Sequence, residues 1–320
     1  MKRHRKALVE EWINLKTEEI RKVVERYSKA EIRGISKLSG GVVNLNLKIK
    51  TTHQDYVLRI YRYKSEPKIE TELNLIDFLR KNNFPTPGYF KDRLGCRVQT
   101  FNSNYGVLFE FVKGVRVKER EISLSHVQEV GGLLGKLHLI GKDFSLSKNR
   151  WSGDIKSIKM LYQRRKDKIR AAVPLFYKKI KKHLDLLSTM KETFCLPEGL
   201  VHGDIRIENF IFSSQGKAIA LLDFDDFYYG YLLTDVATAI YFCCFEKERL
   251  NKEKMEILIS AYQNYRYLSK REKELMMEFL KFITLKNMFY GVLICAEGNL
   301  KFGKSFALQG ANRFESLQSV

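Results

Sequence analysis

His202-Gly203-Asp204-Ile205-Arg206-Ile207-Glu208-Asn209 lies between two apolar runs, Leu200-Val201 and Phe210-Ile211-Phe212. Fourteen residues after Asn209, a second apolar run, Leu221-Leu222, delivers Asp223 and then Phe224-Asp225-Asp226. Two short hairpin-like segments therefore present Asp204, Asn209 and Asp223. Such a set suits phosphoryl transfer from a nucleotide, whose transition state is mainly positioned and neutralised and asks little covalent chemistry of the protein. One carboxylate accepts or orients the proton of a substrate hydroxyl. An amide oxygen and a second carboxylate, both hard oxygen ligands, hold Mg²⁺ against the phosphates. An ordinary turn with an Asx cap would also use Asp204 and Asn209, but it gives no reason for a further acid at the end of the next strand.

The elements that must position these residues can be read from periodicity. Ile20, Val23, Val24 and Tyr27 recur at helical spacing, which predicts a helix near 17 to 27. From Ile32 the pattern alternates, and Ile32 to Leu38, Leu45 to Lys50 and Tyr56 to Tyr61 read as three antiparallel strands. Ile69, Leu73, Ile76 and Leu79 return to helical spacing over 68 to 82, ended by Pro85-Thr86-Pro87-Gly88. Two more strands fit Arg97 to Phe101 and Gly106 to Val112. After Lys113-Gly114 nearly everything reads as helix, apart from a β-type interruption between Leu200 and Phe227. Gly131-Gly132 and Gly135 sit inside one of those helices, where glycine is costly unless another backbone comes close.

Composition narrows the class. With 320 residues, 44% hydrophobic, 12% aromatic and 29% charged, the chain has the balance of a globular protein and is long enough for a large core. Lys and Arg number 57 against 37 Asp and Glu, a net charge of +20, which directs attention to anionic partners. Residues 156 to 182 carry eleven of those bases and one acid, Asp167. Their simplest reading is a set of solvated helix faces, and the sharper one a site for an anionic group. Five cysteines without a CxxC fit no disulfide framework or structural zinc, and the reading is a reduced, cytoplasmic protein. The basic start Met1-Lys2-Arg3-His4-Arg5-Lys6 runs into Glu10 and Glu11 without an apolar segment, and the apolar runs stop well short of the roughly 18 residues a bilayer requires, so no membrane role is expected.

H-G-D-x-x-x-x-N followed by D-F-D resembles the aminoglycoside phosphotransferase and choline kinase superfamily, a variant of the protein-kinase H-R-D-x-x-x-x-N and D-F-G pair. From about residue 17 to 300 the chain is similar to the homoserine kinase and stress-response kinase branch. Leu38-Ser39-Gly40-Gly41-Val42-Val43-Asn44 looks like the branch's nucleotide loop, Tyr56 to Tyr61 like its third strand, and Asp235-Val236-Ala237 like its D-L-A element. The resemblance implies an α+β, protein-kinase-like two-lobed fold. A small antiparallel-sheet N-terminal lobe, 1 to 112, would bind the nucleotide, and a mainly helical lobe, 113 to 320, would hold the catalytic and acceptor-binding groups. It implies ATP or GTP with Mg²⁺ as cofactors, Asp204 as catalytic base, and Asn209 and Asp223 as the metal ligands. Ser39, Gly40, Gly41 and Asn44 would form the phosphate loop, Arg59 would touch the phosphates, and Glu72 would be its partner on the following helix. Glu110 and Val112 would belong to a hinge, near 107 to 114, whose backbone meets the base. The loop has only Gly40-Gly41 where kinases have G-x-G-x-x-G, and Arg59 replaces the commoner lysine with a planar fork.

Each of these residues also has a plainer reading. His202 would support the loop by hydrogen bonding rather than react, and Asp235 would cap a helix and brace the catalytic loop. Asp225 could assist the metal, contact substrate or simply be a surface carboxylate, and Asp226 reads as solvated. Glu72 could be one solvated acid beside Glu70. Tyr228-Tyr229-Gly230-Tyr231 and Phe289-Tyr290 could line a substrate pocket, although aromatics at such spacing are more often core. The expected activity is phosphorylation of a hydroxyl on a small molecule: homoserine-, amino-alcohol-, sugar- or antibiotic-like. Only eleven residues separate Asp223 from Asp235, too few for a peptide-binding activation segment. A protein Ser/Thr kinase of the stress-response type is the alternative. A basic nucleic-acid-binding protein on the same scaffold ranks third, because no interleaved aromatic and basic platform accompanies the charge.

Overall fold

The computed structural model describes residues 17–27, 30–38, 44–101, 104–146 and 153–318. The chain divides into two compact units, Met1–Lys113 and Gly114–Val320.

In the first unit, α1 (Thr17–Tyr27) precedes β1 (Ile32–Lys37), β2 (Leu45–Thr51) and β3 (Asp55–Tyr61), followed by α2 (Glu66–Lys81), β4 (Gln99–Phe101) and β5 (Asn104–Glu110). The strands form one antiparallel sheet in the order β1-β2-β3-β5-β4. Side chains alternate between its faces with period two, so Leu58 and Ile60 join Leu47, Ile49, Leu108 and the α1 residues Ile20, Val23 and Val24 in one cluster. Tyr61 and Val107 join Ile69, Leu73 and Ile76 of α2 in another. Each fully buried aliphatic side chain stabilises this arrangement by roughly 1.5–3 kcal/mol relative to exposure. The same alternation sends Arg59 to the α2 side. Helix α2 begins two residues before its expected start, with Pro67 in its first turn, where the missing N–H costs nothing. Strand β5 also starts two residues early and ends at Glu110, so Val112 lies beyond it.

The second unit holds α3 (Leu124–Gly141), α4 (Ile155–Ala172), α5 (Pro174–Thr189), β6 (Glu198–Val201), β7 (Phe210–Phe212), β8 (Ala218–Leu221), β9 (Tyr228–Tyr231) and α6 (Leu233–Cys243). Then come β10 (Phe245–Glu246), β11 (Arg249–Leu250), α7 (Lys252–Gln263), α8 (Lys270–Ala296) and α9 (Leu300–Ser316). Long α8 is the core helix, with Leu280, Phe282, Met288, Phe289 and Val292 fully buried. By length and composition it could cross a membrane, yet 72% of its apolar window is buried within the fold. Scanning for unbroken apolar runs missed it because Lys281 and Lys286 interrupt the stretch.

The β-type interruption is wider than expected. Strands β6 and β9 pair with each other, as do β7 and β8, and a further hairpin, β10–β11, turns at Lys247 with φ 56°. The Tyr228 to Tyr231 cluster is therefore a strand. Tyr228 is buried, and Tyr231 packs on Phe194 and Phe279 while its hydroxyl accepts the Phe194 N–H. Phe289 is core as well, edge-on to Tyr162. The basic stretch splits at Val173-Pro174 into α4 and α5, joined by Tyr162 Oη, which lies 3.1 Å from both Tyr177 Oη and Asp185 Oδ1. Most of its lysines and arginines face outward, opposite the buried Ile158, Ile169, Ile180 and Leu184, as the solvated-face reading requires. All five cysteines are free thiols.

Close approach explains two of the three glycines in the interior of α3. A Cβ on Gly131 or Gly135 would overlap the backbone carbonyl of Leu258 or Tyr262 on α7, whereas one on Gly132 would meet nothing nearer than Tyr265 at 3.8 Å. Gly132 thus has no packing reason to be glycine. Gly131→Ala is expected to cost about 1–3 kcal/mol by forcing α3 from α7. Gly132→Ala is expected to gain up to about 1 kcal/mol of helix propensity. Urea melts of the two variants check the pair.

Candidate active site

Strand β6 ends at Val201 and hands the chain to a tight loop. His202 is fully buried, and its ring sits 4.7 Å from that of Phe224. Its Nε2 lies 3.0 Å from the Leu222 carbonyl and its Nδ1 3.3 Å from the Asp204 N–H. Both contacts suit one neutral tautomer, with Nε2–H donating and Nδ1 accepting. His202 thus ties the loop to the segment carrying Asp223, matching its supporting role. Gly203 adopts φ +88°, and a Cβ there would stand 2.7 Å from the Asp226 carbonyl oxygen. Only glycine suits both the conformation and the space.

Asp204 and Asn209 are brought together directly. The Asn209 side-chain amide donates to the Asp204 carbonyl at 2.8 Å and to Asp204 Oδ2 at 3.0 Å. These bonds aim the Asp204 carboxylate and engage the amide nitrogen, so the amide oxygen is the part of Asn209 suited to a cation. The Leu222 N–H donates to the Asn209 carbonyl at 2.8 Å, which fixes the residue before Asp223 against the loop. Asp223 itself is left-handed, φ 68° and ψ 60°, a conformation a residue other than glycine holds only when its surroundings impose it and one that clusters at functional sites. Among the described residues no three His, Cys, Asp or Glu side chains cluster as a closed metal site. The amide oxygen of Asn209 and the Asp223 carboxylate are suitable donors for Mg²⁺, whose remaining ligands would be phosphate oxygens and water.

Asp235 braces this loop but is not the helix cap, a position occupied by Leu232. It sits in the first turn of α6, wholly buried, and accepts the N–H groups of His202 at 2.6 Å and Gly203 at 3.0 Å. His138 Nε2 lies 3.3 Å from its Oδ2, Tyr262 Oη is 2.8 Å from His138 Nδ1, and Arg266 donates to Tyr262 Oη at 2.8 Å. Arg266 also pairs with buried Glu272 at 2.7 Å. Burial opposes ionisation of Asp235, yet His138 and the Gly203 N–H hold its carboxyl below the ordinary 3.8. Burial likewise keeps His138 below its ordinary 6.5 despite Asp235, so the ring is neutral near neutral pH. Sequence reasoning named neither His138 nor Tyr262 and Arg266. The one signal was a histidine set among apolar neighbours, Leu137-His138-Leu139-Ile140.

In the first unit, Arg59 Nη1 lies 3.5 Å from Glu72 Oε1, and its Nε donates to Asn46 at 3.1 Å. Glu72 is 1% exposed, which removes the solvated-acid reading. It also pairs with Lys64 at 2.8 Å and accepts the Tyr61 hydroxyl at 3.1 Å. Lys64, a second cation on the same carboxylate, was not anticipated. Asn44 Oδ1 accepts the Arg62 N–H at 3.4 Å. The Glu110 side chain is engaged locally, pairing with Arg80 and accepting the Gly88 N–H at 2.8 Å, so any contact with a base would come from backbone. Ser39, Gly40 and Gly41 lie outside the described residues.

Comparison with known proteins follows from this geometry. The sequence model of the phosphotransferase enzyme family matches residues 34–268. The homoserine kinase of Caulobacter sp. (strain K31) is 27% identical over 254 residues, covering 78% of this chain and 77% of that protein. Amicoumacin kinase, solved with AMP-PNP, Ca²⁺ and Ami, superposes with TM-score 0.70 at 17% identity, covering 97% of this chain and 96% of that one. A microcompartment-associated aminopropanol kinase gives 0.66 at 20% identity, covering 93% and 95%. The fold is the expected α+β, kinase-like one, with an antiparallel sheet in the N-terminal part and a mostly helical remainder.

Proposed function

The chain belongs to the phosphotransferase enzyme family, as a phosphotransferase with an alcohol group as acceptor, and from that premise we propose that it uses ATP or GTP with Mg²⁺ to phosphorylate a hydroxyl on a small molecule in the cytoplasm. In this reading the first unit binds the nucleotide, through Arg59 held by Glu72 and through the loop ending at Asn44, while Val112 and the backbone of Glu110 meet the base. The second unit supplies the chemistry and the acceptor site. Asp204 accepts the hydroxyl proton as the oxygen attacks the γ-phosphorus and the bond from that phosphorus to the β,γ-bridging oxygen breaks, the nucleoside diphosphate leaving with that oxygen. Asn209 keeps that carboxylate aimed and, with Asp223, holds the metal. When bound, Mg²⁺ neutralises the phosphate charge that develops on transfer. The observation that carries the proposal is the double hydrogen bond from the Asn209 amide to Asp204, which joins the candidate base to a candidate metal ligand.

A small acceptor is favoured over a protein by the path from Asp223 to Asp235. Those eleven residues are taken up by the 3-10 turn Phe224–Asp226, by β9 paired along β6, and by the start of α6, which leaves no segment to dock a peptide. The homoserine and aminopropanol kinases are named for acceptors that carry both an amine and a hydroxyl, and we infer that class here.

If Asp223 and Asn209 hold the metal, Asp223→Ala is expected to weaken binding of the Mg–nucleotide complex by at least about tenfold, one lost charged metal ligand, and to leave metal-free nucleotide binding unchanged. Calorimetry on both proteins with and without Mg²⁺ gives the four affinities. Equality among them would move the metal elsewhere.

A further inference from the structure

Lys286 sits midway along the core helix α8, flanked in sequence by the buried Phe282, Ile283, Leu285, Met288 and Phe289. An ammonium placed there loses most of its hydration, which costs several kcal/mol unless a partner replaces the water. Lys286 is only 8% exposed, yet among the described residues its Nζ has no hydrogen-bond or ion-pair partner. Space has been kept around it: a Cβ on Gly153 would stand 2.8 Å from Nζ and 3.7 Å from a ring carbon of Tyr228.

The position of this lysine relates it to the reacting end of the site. Burial lowers its basicity, and the charges of Asp226, Asp204, Asp235 and Asp154 act in the opposite direction. Tyr290, four residues on and so on the same helix face, is raised by burial and then by Asp226 and Asp204. Geometry agrees: Gly153 brings Lys286 Nζ beside Tyr228 of β9, which pairs with Val201 at the start of the loop that carries Asp204, and Tyr290 lies one turn along the same helix. A lysine present merely to balance those acids would close an ion pair with one of them, and none does.

We propose that Lys286 and Tyr290 form an acceptor subsite for a carboxylate, so that the molecule phosphorylated is a hydroxylated amino acid and not a simple amino alcohol. This rests on the small-molecule reading above. A carboxylate offers two oxygens, one for the ammonium and one for the phenol hydroxyl, and neutralises the buried charge. An acceptor's own ammonium would be repelled by Lys286 and attracted to Asp226 and Asp204, which orients a zwitterion with its carboxylate toward α8.

Matched pairs that differ only by the carboxylate test this: L-homoserine with 3-amino-1-propanol, L-serine with ethanolamine, and 4-hydroxybutyrate with 1-propanol, each scored by mass detection of the phosphorylated product. A site built around a charged donor rejects an analogue lacking the partner group strongly, so the carboxylated member of a productive pair is expected to lead by about 100-fold or more in kcat/KM. Lys286→Met, of similar length, is expected to remove that preference by depressing the carboxylated member alone, with nucleotide affinity within about threefold of wild type as the control for an intact fold. Tyr290→Phe, which keeps the charge and the ring, is expected to give a smaller loss with the same selectivity. Preference for the decarboxylated members overturns the inference. So does an equal loss on both members of a pair in Lys286→Met, which would place the ammonium on the transferring phosphoryl group. Absence of phosphorylation in every pair, with nucleotide still bound, overturns the small-molecule reading itself and this inference with it.

Discussion

Asp204→Asn is expected to lower kcat by about 10²–10⁴ and to leave nucleotide affinity within a few-fold of wild type. A base that meets the acceptor hydroxyl acts in the transition state and contributes little to ground-state nucleotide binding. Asparagine keeps the shape and an acceptor oxygen but removes the charge. The Asn209 amide, 3.0 Å from Asp204 Oδ2, can still donate to an oxygen there, so the loop should keep its form. Turnover near wild type would remove Asp204 as the base. A parallel collapse of nucleotide affinity would show that the substitution had disturbed the metal ligands.

The second large effect is structural, and it originates at Asp235. Its two oxygens receive the N–H groups of His202 and Gly203, and Oδ2 also faces His138 Nε2, all in a wholly buried setting. Asp235→Asn leaves one oxygen to serve these donors and turns an NH₂ group toward another. A buried donor without an acceptor costs about 1–3 kcal/mol, and loss of the charge adds to that, so destabilisation of about 2–5 kcal/mol is expected, with a fall in turnover as the loop loses its brace. The pH dependence has a defined sign. Because the folded protein holds the Asp235 carboxyl below its ordinary 3.8, its stabilisation is complete above that value and is lost as pH falls through the folded one. His138, held below 6.5, contributes in the same direction, since the unfolded chain takes up its proton first as pH falls. Wild-type stability should therefore drop more steeply than that of Asp235→Asn below about pH 4. Denaturant melts at pH 3, 5 and 7 measure both slopes.

What could be read from the sequence was what is local or periodic. Leu45 to Thr51 and Asp55 to Tyr61 alternate over a whole strand, so a single face assignment orders every side chain and sends Arg59 toward α2. The contact between Asp204 and Asn209 lies within one short loop and follows from spacing alone. Long-range pairings were another matter. Strand β9 is four residues of Tyr and Gly whose pairing with β6 shows only when residue 201 meets 228, and β10–β11 has two residues per strand, too few for any period. The buried chain from Glu272 through Arg266, Tyr262 and His138 to Asp235 joins four helices and the loop before α8, and no segment holds enough of it to announce the whole. Lys286 was visible, with Lys281, as one of two cations in the apolar stretch of α8. Its meaning depended on Gly153 and Tyr228, which only the fold places near it.

The account turns on transfer of a γ-phosphoryl group to a small-molecule hydroxyl. The most direct measurement incubates the full-length protein with ATP or GTP and Mg²⁺ in the presence of a panel of hydroxylated amino acids, amino alcohols, sugars and antibiotics. Nucleoside diphosphate and phosphorylated acceptor are quantified in the same sample by mass. The predicted result is formation of the two products one for one with at least one panel member, dependent on Mg²⁺ and lost in Asp204→Asn. Diphosphate released with no phosphorylated acceptor, or phosphate appearing only on protein, would contradict it.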